Sequence, residues 1–257
     1  MNLNDRGDGG KRVNAVQRAF EVIGVLREFG TVRIADVADE LDMATSTAHV
    51  HLKTLESVGY VVQVDNGYRL GLRFLRDGAV ARNELQAYST AKSEIDDLAD
   101  TTGEVANLGV EENGQRVITY QSEGSEAVYD NALVGEYTNM HWTALGKAIL
   151  AGLPSEYVTQ IIDYHGLPTA TENAIGGAEQ LRDELRTINQ QGYALEDEER
   201  RTGIRSIVTP ITIDDRVVGA VSLSGPKERF HDDRIEDELL PILKDSTNVI
   251  EVKIAYE

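Results

Sequence analysis

The spacing of apolar residues predicts three helices near the start of the chain. In residues 12–29 the apolar positions recur at intervals of three and four, which places them on one helical face and predicts that this face is buried. Those positions are Val16, Ala19, Phe20, Ile23 and Leu26. A second, shorter helix is predicted over 34–41. A third is predicted from Thr45 to Val58, and the hydroxyls of residues 45–47 suit an N-cap.

A hairpin is predicted after the third helix. Two short strand-like runs flank Asn66-Gly67, a pair typical of a type I′ turn, in which both central residues need positive φ. Three helices and a hairpin, with a short turn between the second and third helices, predict a winged helix-turn-helix. The alternative is a three-helix bundle that serves as a protein-interaction module.

The third helix has one face suited to DNA. With Ala48 directed at the core, a helical wheel turns Ser46, His49, Val50 and Lys53 toward solvent, where a major groove can receive them. The candidate DNA-binding residues, flanking and wing positions included, are Arg33, Thr45, Ser46, Thr47, His49, Val50, Lys53 and Arg69. For each one alone, an ordinary solvated surface position is an equal alternative. His49 and the histidine two positions later point apart, so no metal pair is predicted.

The rest of the chain predicts an α+β domain built on an antiparallel sheet. Residues 73–102 are predicted as helix with an interruption at Gly78 and an end at Gly103. Strands follow, with hairpin turns around Asn113-Gly114 and at Asp214-Asp215, and a further strand is predicted over 127–134. Other helices are predicted at about 143–152, 155–164, 178–191 and 232–254.

The two signs of charge are unevenly distributed along the chain. Residues 1–82 contain eleven basic and eleven acidic residues, so the formal net charge of −19 lies wholly in the remainder. A neutral module joined to a strongly anionic one is expected if only the first module meets phosphate. Only seven of the 25 basic residues are lysine, which favours a halophilic source; an ordinary acidic bacterial protein is the alternative.

The composition also excludes several classes of protein. The chain has no cysteine, which excludes disulfides, thiol nucleophiles and cysteine-bound zinc. No apolar run approaches the roughly 18 residues that span a bilayer, and no apolar signal segment is present, so a cytoplasmic protein without membrane contact is expected. No hydrolase, metalloprotease or nucleotide-binding motif is found. We therefore predict no catalytic residues, no metal and no cofactor, with a hydrolase as a remote alternative.

Three blocks of sequence resemble the IclR family of transcriptional regulators. The first domain contains AVQRAFEVIGVLREFG, TSTAHVHLKTLESVGYV and YRLGLRFL; the second contains MHWTALGKAILA, GYALEDEERRTGIRSIVTPI and GAVSLSGP. The resemblance implies a winged helix-turn-helix over 12–76, a linker helix over 77–92 and a GAF-like effector domain over 93–257, after a disordered segment 1–11. It further implies a homodimer or dimer of dimers on a partly palindromic double-stranded DNA operator, with a small-molecule effector.

A polar pocket is predicted in the second domain. Residues 143–146 open a helix, whose N-terminal N–H groups suit a carboxylate, and Ser222 and Ser224 alternate along one strand and so share a face. The effector positions that the resemblance implies are Thr143, Ala144, Leu145, Gly146, Glu196, Ile204, Ser206, Ser222 and Ser224. The chain departs from common family residues at Trp142, Glu196, Ser206 and Val50, so neither the ligand nor the operator is borrowed from relatives.

These features predict a regulator of a catabolic operon whose operator binding responds to a carboxylate, sugar-acid or aromatic effector. Effector binding in the second domain is expected to change the angle or spacing of the paired winged helices through the linker helix. This requires that the effector bind the two arrangements of the winged helices with different affinity. A small-molecule sensor acting through protein partners is the alternative, and operator binding distinguishes the two.

Overall fold

We describe the protein from a computed structural model, which covers residues 11–128 and 132–256. The described chain divides into two compact units, 11–84 and 85–256. The predicted disordered segment 1–11 lies almost wholly outside the described residues. No helix in the two described ranges is long and apolar enough to cross a membrane.

The first unit is a helical bundle with a two-stranded hairpin. Its elements are α1 (Asn14–Phe29), α2 (Ile34–Glu40), α3 (Thr45–Ser57), β1 (Val61–Val64), β2 (Gly67–Leu70) and α4 (Arg73–Asn83). The buried side chains of α1 are Val22, Val25 and Leu26, all in its second half. The prediction that Val16 and Phe20 are buried is wrong, since 54% and 64% of their surface is exposed. The small core of this unit covers only the C-terminal half of α1.

The hairpin between β1 and β2 turns one residue earlier than predicted. Val64 pairs with Gly67, so Asp65 and Asn66 form the turn, and neither has positive φ. The predicted type I′ turn at Asn66-Gly67 is therefore wrong. Gly67 has a φ of 147° because it passes close to Val32; a Cβ on this residue would lie 2.2 Å from the Val32 carbonyl oxygen. Tertiary contact, not turn chemistry, requires the glycine.

The predicted helix over 73–102 is two helices. α4 continues through Gly78 without interruption and ends at Asn83, and α5 (Gln86–Thr102) begins after the extended residue Leu85. The predicted single linker helix 77–92 is thus divided between them. None of the residues of α4 is buried, whereas α5 buries eight, so the break coincides with the point where burial begins.

The second unit contains a six-stranded antiparallel sheet in the order β5-β4-β3-β8-β7-β6. The strands are β3 (Val105–Glu112), β4 (Gln115–Glu123), β5 (Tyr137–Asn139), β6 (Ala194–Asp197), β7 (Ile204–Ile213) and β8 (Arg216–Pro226). The predicted turns at Asn113-Gly114 and Asp214-Asp215 are confirmed, and all four residues have positive φ. The strand predicted over 127–134 is wrong for its described residues. The chain turns at Gly135, whose φ is 85°, and β5 begins after this turn.

Helices cover both faces of this sheet. One apolar cluster joins the sheet to α6 (Ala144–Ala151), α7 (Ser155–His165) and α8 (Ala178–Gln191), and another joins it to α5 and α10 (Leu240–Tyr256). The helix predicted over 232–254 is present without a break, and it contains a wider turn: α9 (Asp232–Arg234) continues through a π-helical turn (Ile235–Leu239) into α10. Pro241 follows this turn and has no N–H to donate to the residue four positions earlier, which accounts for the wider turn.

Candidate functional sites

The outer face of α3 is exposed as the helical wheel predicts. Ala48, Leu52 and Leu55 are its buried residues. The candidate DNA-contacting residues of this helix are all exposed: Thr45, Ser46, Thr47, His49, Val50 and Lys53. The predicted N-cap is wrong, because Ala44 occupies the cap position and no described side chain caps the helix. The three hydroxyl residues instead lie inside its first turn.

Basic side chains flank this face. The Lys53 ammonium contacts Glu56 Oε2 at 2.8 Å and Gln63 Oε1 at 2.9 Å, and the hydrogen bond with Glu56 raises the pKa of Lys53. In the hairpin, the exposed Arg69 donates to the Leu70 carbonyl oxygen. Arg33 is exposed at the start of α2, where its backbone N–H donates to Asp36. The structure thus presents basic groups on α2, on α3 and in the hairpin.

A small cavity opens between α6 and the sheet of the second unit. Its volume is about 30 Å³, which is room for about two water molecules. The residues that line it are Asn107, Arg116, Ile118, Ala132, Thr143, Ala144, Leu145, Glu196, Arg200, Ser206, Val208, Ser222 and Ser224. Strands β3, β4, β6, β7 and β8 and the N-terminus of α6 all contribute, so residues far apart in sequence meet here.

Seven of the nine predicted effector positions line this cavity, and two do not. Gly146 is buried against the preceding turn: its N–H donates to Thr143 Oγ1, and an added Cβ would lie 2.2 Å from the Met140 carbonyl oxygen. Its role in the structure is close packing. Ile204 is buried at the start of β7, opposite Pro226.

The sequence prediction missed six lining residues: Asn107, Arg116, Ile118, Ala132, Arg200 and Val208. A usable signal existed for one of them. Asn107 interrupts the apolar run VANLGV and proves to be buried, with 5% of its surface exposed. Arg116 begins the strand RVITYQ, where a charged residue is unremarkable, and it is also buried, with 2% exposed. Buried polar residues in a strand need partners, which points to a polar site.

Two charged residues in the cavity lining, Glu196 and Arg116, are buried and hydrogen-bonded. Burial raises the pKa of Glu196 to about 7, although nearby Arg200 opposes this and its backbone N–H donates to Glu196 Oε1 at 3.2 Å. Arg116 Nη2 donates to Thr138 Oγ1 at 2.7 Å, and Nη1 lies 3.9 Å from Glu136. The cavity therefore combines a buried cation with a carboxyl group whose pKa is raised by burial to about 7.

A buried ion pair lies behind the cavity. Lys147, on α6, is 1% exposed and its ammonium contacts Glu199 at 2.5 Å and Glu184 at 3.1 Å. Burial raises the pKa of Glu199, and Lys147 opposes that shift. The contact with Glu184 links α6 to α8, and the contact with Glu199 links α6 to the segment that follows β6. No group of three His, Cys, Asp or Glu residues in the described part of the chain has the geometry of a metal site.

Family models match both units. Residues 15–65 match the IclR helix-turn-helix domain, and residues 80–252 match the model described as bacterial transcriptional regulator IclR C-terminal. These two matches place the chain among transcriptional regulators with a helix-turn-helix DNA-binding domain. The chain belongs to the IclR family.

Sequence similarity to other transcriptional regulators extends over nearly the whole chain. The "Probable HTH-type transcriptional regulator ArcR" of Halobacterium salinarum is 34% identical over 249 residues, covering 95% of both chains. The transcriptional repressor IclR of Escherichia coli is 26% identical over 251 residues, covering 95% of this chain and 90% of the repressor.

Solved structures share the fold. The crystal structure of the Thermotoga maritima IclR aligns with a TM-score of 0.79 at 26% identity, covering 95% of this chain and 99% of that one. An IclR homolog from Microbacterium hydrocarbonoxydans, complexed with 4-hydroxybenzoate, aligns with a TM-score of 0.81 at 21% identity, covering 95% and 100%. The predicted fold class, a helix-turn-helix domain followed by an antiparallel-sheet domain, is confirmed.

Proposed function

We propose that the protein binds a specific operator through α3 and the hairpin, and that a small anionic effector in the cavity modulates this binding. The observation that carries the effector proposal is a buried cavity in which Arg116, serine hydroxyls and the N-terminus of α6 converge. First-turn N–H groups of a helix have no acceptor inside the helix and favour anions. A carboxylate is the group that best fits this combination.

DNA contact is assigned to the exposed residues of α3 and to Arg33 and Arg69. Ser46 and His49 can read base edges, Val50 can contact a thymine methyl, and Lys53 can reach guanine or phosphate. The first unit has little net charge, so long-range attraction to DNA contributes little, and at about 1 M salt the screening length falls to about 3 Å. Specific operator binding therefore depends on close contacts and on two copies acting together.

Self-association is proposed through the first unit. α1, α4 and the residue that precedes α4 carry exposed large apolar side chains, among them Val16, Phe20, Leu72, Leu75 and Val80. Apolar side chains concentrated on two helices commonly mark an interface. A homodimer would present two copies of α3 to a partly palindromic operator, with half-sites spaced by one helical turn of DNA. Light scattering after size exclusion measures this state directly.

The first experiment is selection of binding sites from genomic DNA fragments with the full-length protein. We expect recovery of partly palindromic sites, followed by gel shifts that weaken or tighten when small carboxylates are added. The neighbouring genes test the proposal that a catabolic operon is controlled. Absence of any sequence preference over competitor DNA would contradict operator binding and favour a sensor that acts through protein partners.

An aromatic acid is the second candidate for the effector. The Microbacterium relative was crystallised with 4-hydroxybenzoate, and the two folds align closely. The cavity of about 30 Å³ would have to enlarge to admit a ring, which disfavours this candidate. Calorimetric titration with 4-hydroxybenzoate decides between them.

A further inference from the structure

A strip of polar side chains crosses the three central strands of the sheet beneath α6. Asn107 of β3 is opposite Ser222 of β8, and Ser224 of the same strand is opposite Ser206 of β7. All four line the cavity, and none exposes more than 7% of its surface. Buried polar groups are costly unless they are hydrogen-bonded, so each atom of this strip needs a partner.

Asn107 is incompletely satisfied within this strip. Its Nδ2 donates to Ser222 Oγ at 3.3 Å and to Ser224 Oγ at 3.5 Å. Its Oδ1 is buried and has no hydrogen-bond partner among the residues that the structure describes. Because the two serine oxygens accept from the amide, their own hydrogens are left to donate. The strip therefore offers one acceptor that lacks a donor, beside two hydroxyl donors.

Two other parts of the cavity lining, the N-terminus of α6 and Arg116 of β4, suit a negative charge. The N–H groups of Ala144 and Leu145 belong to the first turn of α6 and have no acceptor within the helix. The Arg116 guanidinium lines the same cavity. Among the described residues that line the cavity, Glu196 is the one carboxyl group, and burial raises its pKa to about 7, which weakens its repulsion of an anion.

We infer that Asn107 determines effector specificity by selecting a small hydroxycarboxylate, with the hydroxyl donating to Asn107 Oδ1 and the carboxylate held at the N-terminus of α6 and by Arg116. This inference rests on the proposed effector function and narrows it. The small cavity volume of about 30 Å³ favours the smallest hydroxy acids, such as glycolate and lactate, for which the cavity walls must open least.

Matched pairs of acids that differ by one hydroxyl test this inference. Full-length protein is titrated by calorimetry with glycolate against acetate and with lactate against propanoate, and 4-hydroxybenzoate is included as the aromatic rival. We expect each hydroxy acid to bind at least about tenfold more tightly than its partner, the effect of one hydrogen bond to a buried acceptor. Asn107→Leu is expected to reduce this ratio to within about twofold.

The control variant is Asn248→Leu, on the exposed face of α10, which is expected to keep the full ratio. Circular dichroism checks that both variants are folded; if Asn107→Leu does not fold, the ratio measured with the unaltered protein decides alone. If glycolate and acetate bind with equal affinity, the inference that Asn107 selects for the hydroxyl group is overturned. If those acids still change operator binding in a gel shift, the proposed function stands.

Binding of 4-hydroxybenzoate with no binding of either hydroxy acid also overturns the inference, and leaves an effector-responsive regulator of another specificity. If none of the five acids binds or changes operator affinity, the inference is overturned and the proposal of a small anionic effector loses its support. Operator binding itself is measured without any acid, so its failure is recognised separately.

Discussion

The candidate DNA-binding face and the candidate effector cavity are built in opposite ways. On α3 the functional candidates are exposed, and Val50, for example, exposes 62% of its surface. In the cavity, Asn107, Glu196 and Ser222 expose 5%, 3% and 2%. An exposed residue contributes little to stability and is free to serve recognition, whereas a buried polar residue must be held by its neighbours. The same kind of substitution should therefore have different consequences in the two places.

The largest predicted difference is in the unfolding free energy lost when a buried lysine and an exposed lysine are each replaced. Lys147→Met leaves Glu199 buried without its cation, and breaking a buried pair in this way costs about 3–5 kcal/mol of unfolding free energy. Lys53→Met removes an exposed pair with Glu56 and should leave the unfolding free energy nearly unchanged. Urea denaturation followed by circular dichroism measures both. Similar losses for the two variants would show that burial does not separate the two sites.

The pH dependence of stability reports on Glu196. Its folded pKa of about 7 lies above its ordinary value of 4.5, so between these values the unfolded chain loses a proton that the folded chain keeps. The unfolding free energy should fall as pH rises through this window, by up to about 3 kcal/mol, and then level off. Arg200, Glu199 and Lys147 also act on this carboxyl group.

Glu196→Gln removes this contribution, because the amide does not titrate. We expect urea titrations at pH 5 and pH 8 to differ more for the unaltered protein than for the variant. Asp215→Asn, in the exposed turn between β7 and β8, is the control and should retain the full pH dependence. Equal pH dependence in the unaltered protein and Glu196→Gln would show that this carboxyl group is ionised in the folded chain at pH 5.

Alanine substitutions at two glycines of the first unit test a close contact at one position and open space at the other. Gly67→Ala places a methyl group against the Val32 carbonyl oxygen at an unfavourable φ, and should cost about 2 kcal/mol and weaken operator binding. Gly78→Ala, in α4, meets no atom within 4 Å and should stabilise the helix by about 0.5–1 kcal/mol. Thermal unfolding and gel shifts measure both; tolerance of Gly67→Ala would contradict the close approach of the hairpin to Val32.

For operator affinity, Lys53→Met is expected to cause a loss of about tenfold, because one phosphate or guanine contact is removed. If Lys53 contacts phosphate, the slope of log affinity against log salt should become shallower by about one. Lys244→Met, in the second unit, is the control and should change neither quantity. Fluorescence anisotropy on the selected operator gives both numbers. An unchanged affinity for Lys53→Met would remove this residue from the proposed interface.

Sequence patterns predicted the exposed face better than the cavity. The helical wheel for α3 can be drawn from the residues of that helix alone, and the turn at Asn113-Gly114 depends only on the local backbone conformation. By contrast, the conformation of Gly67 depends on Val32, and the exposure of Phe20 depends on how far the core extends along α1. The polar Asn107 within an apolar run indicated a buried polar site, but only the pairing of the strands brings Asn107 and Arg116 to the same cavity, and no local pattern specifies that pairing.

Gly146 has a practical consequence for changing the effector range of this regulator. Since any side chain there would collide with the Met140 carbonyl oxygen, the start of α6 has a fixed position, and so has the end of the cavity that we propose to hold a carboxylate. Side chains on the sheet wall of the cavity lie away from this close contact. A directed-evolution library should therefore hold Gly146 constant and diversify Asn107, Ile118 and Val208, which would produce biosensors for other acids from one scaffold.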